Sequence, residues 1–325
     1  MQAVPVIDVG ALVGGSGSVA DVAASLDRAC RDVGFFVAVG HGIDPARLEK
    51  LLAAARSFFA LPEAEKAEIE MARAGRAWRG WFPLGGELTS GVPDGKEGIY
   101  FGEEQPPSDR LLHGPNLFPE RPPELRTAVL DWMAEMTGLG HVLMGGLALG
   151  LGLERDWIDR HQTADPVTLF RIIRYPPVDL GTLDRRGVAE HTDYGLLTIL
   201  ADDCTPGLEV GTRDGWTAVE PVEGGFVCNL GDMLERMTAG RYRSTPHRVR
   251  PPTGGPDRLS CPFFFDPGWD VEVGPLPLGD SPRAAGPDER DDAADRWDRT
   301  SVHEWSGTYG DYLTAKVARV FPDLA

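Results

Sequence analysis

From Val167 to Val273 the chain changes texture: short runs of β-branched and aromatic residues alternate with Pro-Gly, Asp-Gly and Gly-Gly turns. Runs this short, punctuated this often, cannot build a helical bundle and predict an all-β unit. Strands are expected at Leu169–Tyr175, Leu196–Ala201, Leu208–Val210, Trp216–Val219, Gly225–Asn229, His247–Arg250 and Ser260–Phe265. That count fits a jelly roll.

The flanking segments have helical periods instead. Val4–Val9 reads as an opening strand, after which Ser18 caps a helix carrying Val22, Leu26, Cys30 and Val33 inward until Gly34 stops it. Phe35–Val39 is a β-rich run, and Asp44-Pro45 then starts a second helix with Leu48, Leu51, Leu52, Ala55, Phe58 and Phe59 on one face. Between Met71 and Asn116 the pattern is irregular and rich in Gly, Pro and aromatic residues, as in binding loops. Leu125, Val129, Met133, Met136, Leu143 and Leu147 define a long packing helix over 122–149, with Gly138-Leu139-Gly140 as a candidate break. The segment 273–299 is rich in Pro, Asp and Arg and reads as an irregular cover, followed by a terminal helix over Tyr309–Val320. The whole predicts an α+β fold, a jelly-roll core flanked by helices.

Charge narrows the partners. A formal net charge of −18 and a pI near 4.8 oppose the clustered basic surface that nucleic-acid binding requires. The apolar stretch around Val142–Leu153 is too short to span a bilayer, and Met1–Pro5 carries no secretory pattern. Cys30, Cys204, Cys228 and Cys261 lack metal or redox spacing and suit free thiols of a reducing compartment. The expectation is a cytoplasmic protein handling a small molecule, without nucleic acid or membrane, its oligomeric state open.

The chemistry converges on Glu190–Leu200. Along an extended backbone His191 and Asp193 would project from one side of a strand. A second histidine, His247, lies on the later strand 247–250. Two imidazoles and one carboxylate that leave other coordination positions open are the ligand set typical of non-haem Fe(II) oxygenases. Further on, Arg258 and Ser260 share a strand face and together suit a carboxylate, the guanidinium by paired hydrogen bonds and the hydroxyl by a third. Arg171, Ile173 and Tyr175 share a face on the strand that precedes His191.

His191-x-Asp193, His247, Arg258-x-Ser260, Arg174-Tyr175-Pro176 and the N-terminal Gly34-Phe35-Phe36 and Gly40-His41-Gly42 together resemble the isopenicillin N synthase-like family of Fe(II)/2-oxoglutarate-dependent oxygenases, over nearly the whole chain. The resemblance implies a distorted double-stranded β-helix. It divides the chain into an N-terminal α/β region of the non-haem dioxygenase type (1–120), a long packing helix region (121–165), the oxygenase jelly roll (166–275) and a C-terminal cover segment with its helix (276–325), all in one compact unit. It implies Fe(II) held by His191, Asp193 and His247, with 2-oxoglutarate as co-substrate whose far carboxylate meets Arg258 and Ser260, and Tyr175 as a further contact. With O2 the co-substrate would become succinate and CO2 while a small molecule of specialised metabolism, such as antibiotic biosynthesis, is hydroxylated, desaturated or cyclised. Many plant members carry asparagine where Ile173 stands, so their substrate class does not transfer.

Two other readings fit the same residues. One is an oxidase of the same fold that needs no keto acid, since isopenicillin N synthase uses an Arg-x-Ser pair for its peptide substrate. The other is a non-catalytic metal- or ligand-binding relative. Substrate-pocket candidates are Arg79, Trp81, Tyr100, Arg171, Ile173, Phe265 and Trp269, with the two arginines favouring a carboxylate-bearing substrate. His41, His113, His141, His161 and His303 are assigned structural or surface roles.

Overall fold

The computed structural model describes residues 4–89, 92–178, 186–212, 215–279, 301 and 303–320. Among the described residues fourteen strands run in chain order: β1 (Val6–Asp8), β2 (Phe35–Val39), β3 (Gly80–Phe82), β4 (Leu88–Thr89), β5 (Val92–Pro93), β6 (Glu97–Gly102), β7 (Val167–Tyr175), β8 (Val188–His191), β9 (Leu197–Asp202), β10 (Leu208–Thr212), β11 (Gly215–Ala218), β12 (Phe226–Leu230), β13 (His247–Val249) and β14 (Arg258–Asp266). The α-helices are α1 (Val19–Asp32), α2 (Pro45–Phe59), α3 (Glu63–Lys66), α4 (Glu124–Gly150), α5 (Trp157–His161), α6 (Asp232–Met237) and α7 (Tyr309–Val320).

Eight strands form one sheet in the order β1-β2-β12-β9-β14-β7-β6-β3, and β11-β10-β13-β8 form a smaller one. The strand alternation sorts side chains between two apolar regions. Outward residues such as Phe36, Phe170, Ile199 and Phe263 pack with Leu26, Phe58 and Leu143 of α1, α2 and α4. Inward residues, among them Phe35, Val37, Ile173, Val210, Val227 and Val249, fill the space between the two sheets. Burying each such side chain contributes about 1.5–3 kcal/mol, so period-two alternation alone fixes which face of each strand meets the smaller sheet.

The expected caps are present. The Ser18 hydroxyl accepts from the Asp21 N–H, and Asp44 caps α2 with Pro45 in its first turn. Gly34, between α1 and β2, has φ +73°, and a Cβ there would lie 2.3 Å from the Arg243 carbonyl oxygen.

Several expectations are corrected. The stretch 190–200 is not one strand, because β8 ends at His191 and β9 begins at Leu197, leaving Asp193 in the connection. Helix α4 runs unbroken through Gly138 and Gly140. Gly140 is a packing position: a Cβ there would meet the Phe265 ring at 2.6 Å. The irregular segment 71–116 contains β3 and the fully buried β6, which extend the large sheet beyond the jelly roll. Its charges hid that strand, because Glu97 is buried in ion pairs with Lys66 and Arg174. Of the expected cover segment, residues 280–300 lie outside the described residues, while Val273 and Leu276 are buried against the core.

Candidate active site

Strand pairing brings the ligating side chains together. β13 and β8 are antiparallel neighbours with His247 opposite His191, and the two rings lie 4.3 Å apart between centroids. Each Nδ1 faces a carbonyl two residues back, Ala189 for His191 (2.9 Å) and Thr245 for His247 (3.2 Å). A carbonyl can only accept, so each Nδ1 carries the proton and each Nε2 presents a lone pair. Those two Nε2 atoms lie 3.9 and 3.8 Å from Asp193 Oδ1, and the three groups offer ligand atoms within 4.8 Å of one another.

The large sheet orients the carboxylate. Thr198 of β9 and Asn229 of β12 are register partners, and both donate to Asp193 Oδ2, at 2.5 and 2.6 Å. One oxygen is thereby held and the other left toward the imidazoles. Burial alone would raise the Asp193 carboxyl, but the two histidines and these two hydrogen bonds outweigh it and keep it below its ordinary value. Burial first, and His247 second, push His191 well below the usual histidine range. Two imidazoles presenting Nε2 lone pairs beside an ionised carboxylate are the donor set a divalent iron takes. The fit is to the residues as they stand.

A cavity of about 200 Å³ opens from this cluster. Arg258, Ser260, Pro262, Phe264 and Asp266, alternate residues of β14, line it, as do Leu169, Arg171, Ile173 and Tyr175 of β7. Arg258 pairs in register with Tyr175 and is 1% exposed. Its Nε donates to the Thr205 carbonyl at 2.9 Å and its Nη2 to Asp202 at 3.1 Å, while Nη1 has no partner among the described residues. A buried guanidinium nitrogen without an acceptor costs free energy, so this end of the cavity suits a carboxylate.

Elsewhere on the cavity wall, Arg171 lies 3.9 Å over the Tyr100 ring and donates to Glu87 at 2.8 Å. Glu87 also accepts from the Tyr100 hydroxyl and pairs with Lys96 at 3.0 Å. Burial would raise the Glu87 carboxyl, but Arg171 and Lys96 hold it below its ordinary value.

Of the seven substrate-pocket candidates, Tyr100, Arg171 and Ile173 line this cavity and four do not. Phe265 has the opposite parity to Phe264 and packs on His141 of α4. Trp81 turns its indole N–H to Glu97 at 3.0 Å. Arg79 and Trp269 border a separate cavity of about 330 Å³, where burial pushes the Arg79 guanidinium down to about 10. Glu87, Lys96, Trp78, Thr198 and Asn229 were missed; the last two are polar residues inside apolar strands, a signal for an inward hydrogen-bonding role. His41 takes the structural role expected, donating to the Gly224 carbonyl and accepting from the Ile43 N–H.

Comparison with known proteins gives consistent matches. Residues 166–267 match the 2OG-Fe(II) oxygenase superfamily, and residues 4–121 match the N-terminal region described as "non-haem dioxygenase in morphine synthesis". A probable iron/ascorbate oxidoreductase of Dictyostelium discoideum is 40% identical, covering 93% of this chain and 90% of its own. A homoarginine-6-hydroxylase of Glycine max is 34% identical, covering 99% and 98%. The structure of a putative 2OG-Fe(II) oxygenase family protein from Caulobacter crescentus superposes with a TM-score of 0.80 at 27% identity, covering 98% of this chain and 100% of its own.

Proposed function

The chain belongs to the 2OG-Fe(II) oxygenase superfamily, and from that premise we propose that His191, Asp193 and His247 hold the Fe(II), that Arg258, Ser260 and Tyr175 hold the far carboxylate of 2-oxoglutarate, and that Arg171 anchors a carboxylate of a small-molecule substrate. The protein is a non-haem Fe(II)/2-oxoglutarate-dependent dioxygenase. The observation that carries the metal assignment is the pairing of His191 with His247 across two strands, with Asp193 Oδ1 turned toward both.

When bound, iron and 2-oxoglutarate supply the oxidation itself, with O2 consumed and succinate and CO2 formed. The chain's own residues do the rest. Ala189 and Thr245 fix the imidazole tautomers, and Thr198 and Asn229 fix the carboxylate. Arg258 positions the co-substrate at one end of the cavity. Phe264, Leu313 and Val317 keep water from the reacting centre.

For the substrate, Arg171 is only partly committed: its Nη2 serves Glu87, its plane is fixed against Tyr100, and its side chain borders the cavity. A planar cation held this way suits a carboxylate. Arg79, buried outside this cavity, has no part in it. A relative named for hydroxylating homoarginine, an amino acid, is in keeping with a carboxylate-bearing substrate. Neither the oxidase without keto acid nor the non-catalytic relative is favoured.

The test is anaerobic titration of the purified chain with Fe(II) and then 2-oxoglutarate, followed by succinate measurement on admitting O2. Saturation by one equivalent of each is expected. Iron binding with no 2-oxoglutarate binding would hand Arg258 and Ser260 to the substrate instead.

A further inference from the structure

The connection that carries Asp193 is short, and two aspartates grip its ends. At the start, the Asp232 N–H donates to the Asp193 carbonyl at 2.8 Å. At the far end, the Leu196 N–H donates to Asp266 Oδ1 at 3.2 Å. There is no slack between them: a Cβ on Gly195 would fall 1.4 Å from Asp266 Oδ1, and one on Gly231 would fall 2.4 Å from the Gly195 carbonyl oxygen.

Both aspartates are held from a third place. The Tyr309 hydroxyl donates to Asp266 Oδ2 at 2.5 Å, and the Tyr312 hydroxyl donates to Asp232 Oδ2 at 3.1 Å. The two tyrosines are three residues apart on α7 and therefore share a face. All four side chains are buried, at 0%, 3%, 4% and 1% exposure for Tyr309, Tyr312, Asp266 and Asp232. One turn further along, Leu313 and Val317 of the same helix line the cavity. Apolar packing alone would be served by phenylalanine, so the two phenols are placed to grip the aspartates.

We propose that α7 is a positioning element for the ligand Asp193: Tyr309 through Asp266 and Tyr312 through Asp232 hold the ligand connection, so that metal binding and closure of the helix over the cavity are one coupled event. The proposal rests on the reading that His191, Asp193 and His247 bind Fe(II). Linkage makes the coupling reciprocal, so what docks the helix tightens the metal and the metal tightens the helix.

The experiment uses the full chain carrying Tyr309→Phe and Tyr312→Phe together. Anaerobic titration is expected to show Fe(II) affinity weakened about tenfold, the size of effect seen when groups orienting a metal ligand are removed. In the wild type, Fe(II) should slow amide hydrogen exchange across 309–320, and in the double variant that slowing should be lost. Leu313→Ala loosens the same helix but keeps both phenols, so it should weaken Fe(II) binding less than the double variant does; an equal or larger loss would overturn the proposal. Asp266→Asn retains an acceptor for Leu196 and a partner for Tyr309, so it should bind Fe(II) better than Asp266→Ala; this pair carries the test if the double variant fails to fold. Wild-type affinity in the double variant, with metal-dependent protection of the helix intact, overturns the proposal. Equal Fe(II) binding by the wild type and Asp193→Ala would instead overturn the metal reading beneath it.

Discussion

Replacing Arg258 by methionine removes the buried cation while keeping much of its packing volume. The structure sets the size of the effect. Nε and Nη2 are spent on Thr205 and Asp202, so Nη1 is the nitrogen left for a co-substrate carboxylate. One charge-assisted hydrogen bond contributes about 1.5–3 kcal/mol, which predicts 2-oxoglutarate affinity weakened roughly 10- to 150-fold. The upper end is expected, because methionine leaves the ligand carboxylate without a counter-charge. A second effect must be separated from this. Desolvation raises the Asp202 carboxyl and Arg258 opposes that rise, so losing the arginine strands a half-buried acid and costs stability. The double variant Arg258→Met with Asp202→Asn should regain stability in a urea melt but not 2-oxoglutarate binding. Calorimetric titration of 2-oxoglutarate into the anaerobic Fe(II) protein reads the affinity directly. An affinity equal to wild type in both variants would refute the assignment, and a rise confined to the substrate KM would move the clamp to the substrate.

Other perturbations reach different parts of the site. Alanine at His191, Asp193 or His247 should abolish succinate formation and weaken Fe(II) binding with the fold retained by circular dichroism; activity persisting in all three would remove the metal assignment. Thr198→Val takes one of the two donors from Asp193 Oδ2 and should weaken Fe(II) about tenfold, measured by anaerobic titration. Arg171→Met should raise the KM of a carboxylate substrate accepted by the wild type roughly tenfold or more while leaving 2-oxoglutarate affinity unchanged, and an unaltered substrate KM would release Arg171 from that role. Gly195→Ala would drive a methyl group into Asp266 and should destabilise the chain by about 3 kcal/mol or more in a urea melt.

Much of the architecture could be read from period and punctuation. The seven expected strands all overlap observed ones, and Ser18 and Asp44 begin their helices as their side chains dictate. Where reading failed, tertiary contacts overrode local pattern. Gly138 and Gly140 look like helix breakers, yet Gly140 lets the Phe265 ring approach α4. Glu97 looks like a surface residue, yet Lys66 and Arg174 neutralise it inside β6. In the site, alternation placed Arg171, Ile173 and Tyr175 on one wall of the cavity. It could not place Arg79 or Trp269, which lie outside the jelly-roll strands, and Phe265 was assigned to the wrong face of its own strand. Glu87 and Lys96 reach the cavity from the segment between β3 and β6, where no period exists to be read.

Strand β14 works as a ruled edge. Its even positions, from Arg258 through Ser260, Pro262 and Phe264 to Asp266, face the cavity, and its odd positions, Leu259, Cys261, Phe263 and Phe265, face the helices. Along that edge lie, in sequence, the proposed co-substrate anchor, the cavity wall and the tether of the C-terminal helix. Inserting or deleting one residue within the strand would exchange the two sets beyond that point, putting cavity-lining side chains into the helix interface and rings of the core into the cavity. Point exchange of side chains carries no such penalty. Changes of substrate in chains built this way are therefore expected to arise by substitution along a strand of constant length, with length variation confined to connections such as the one between β3 and β6.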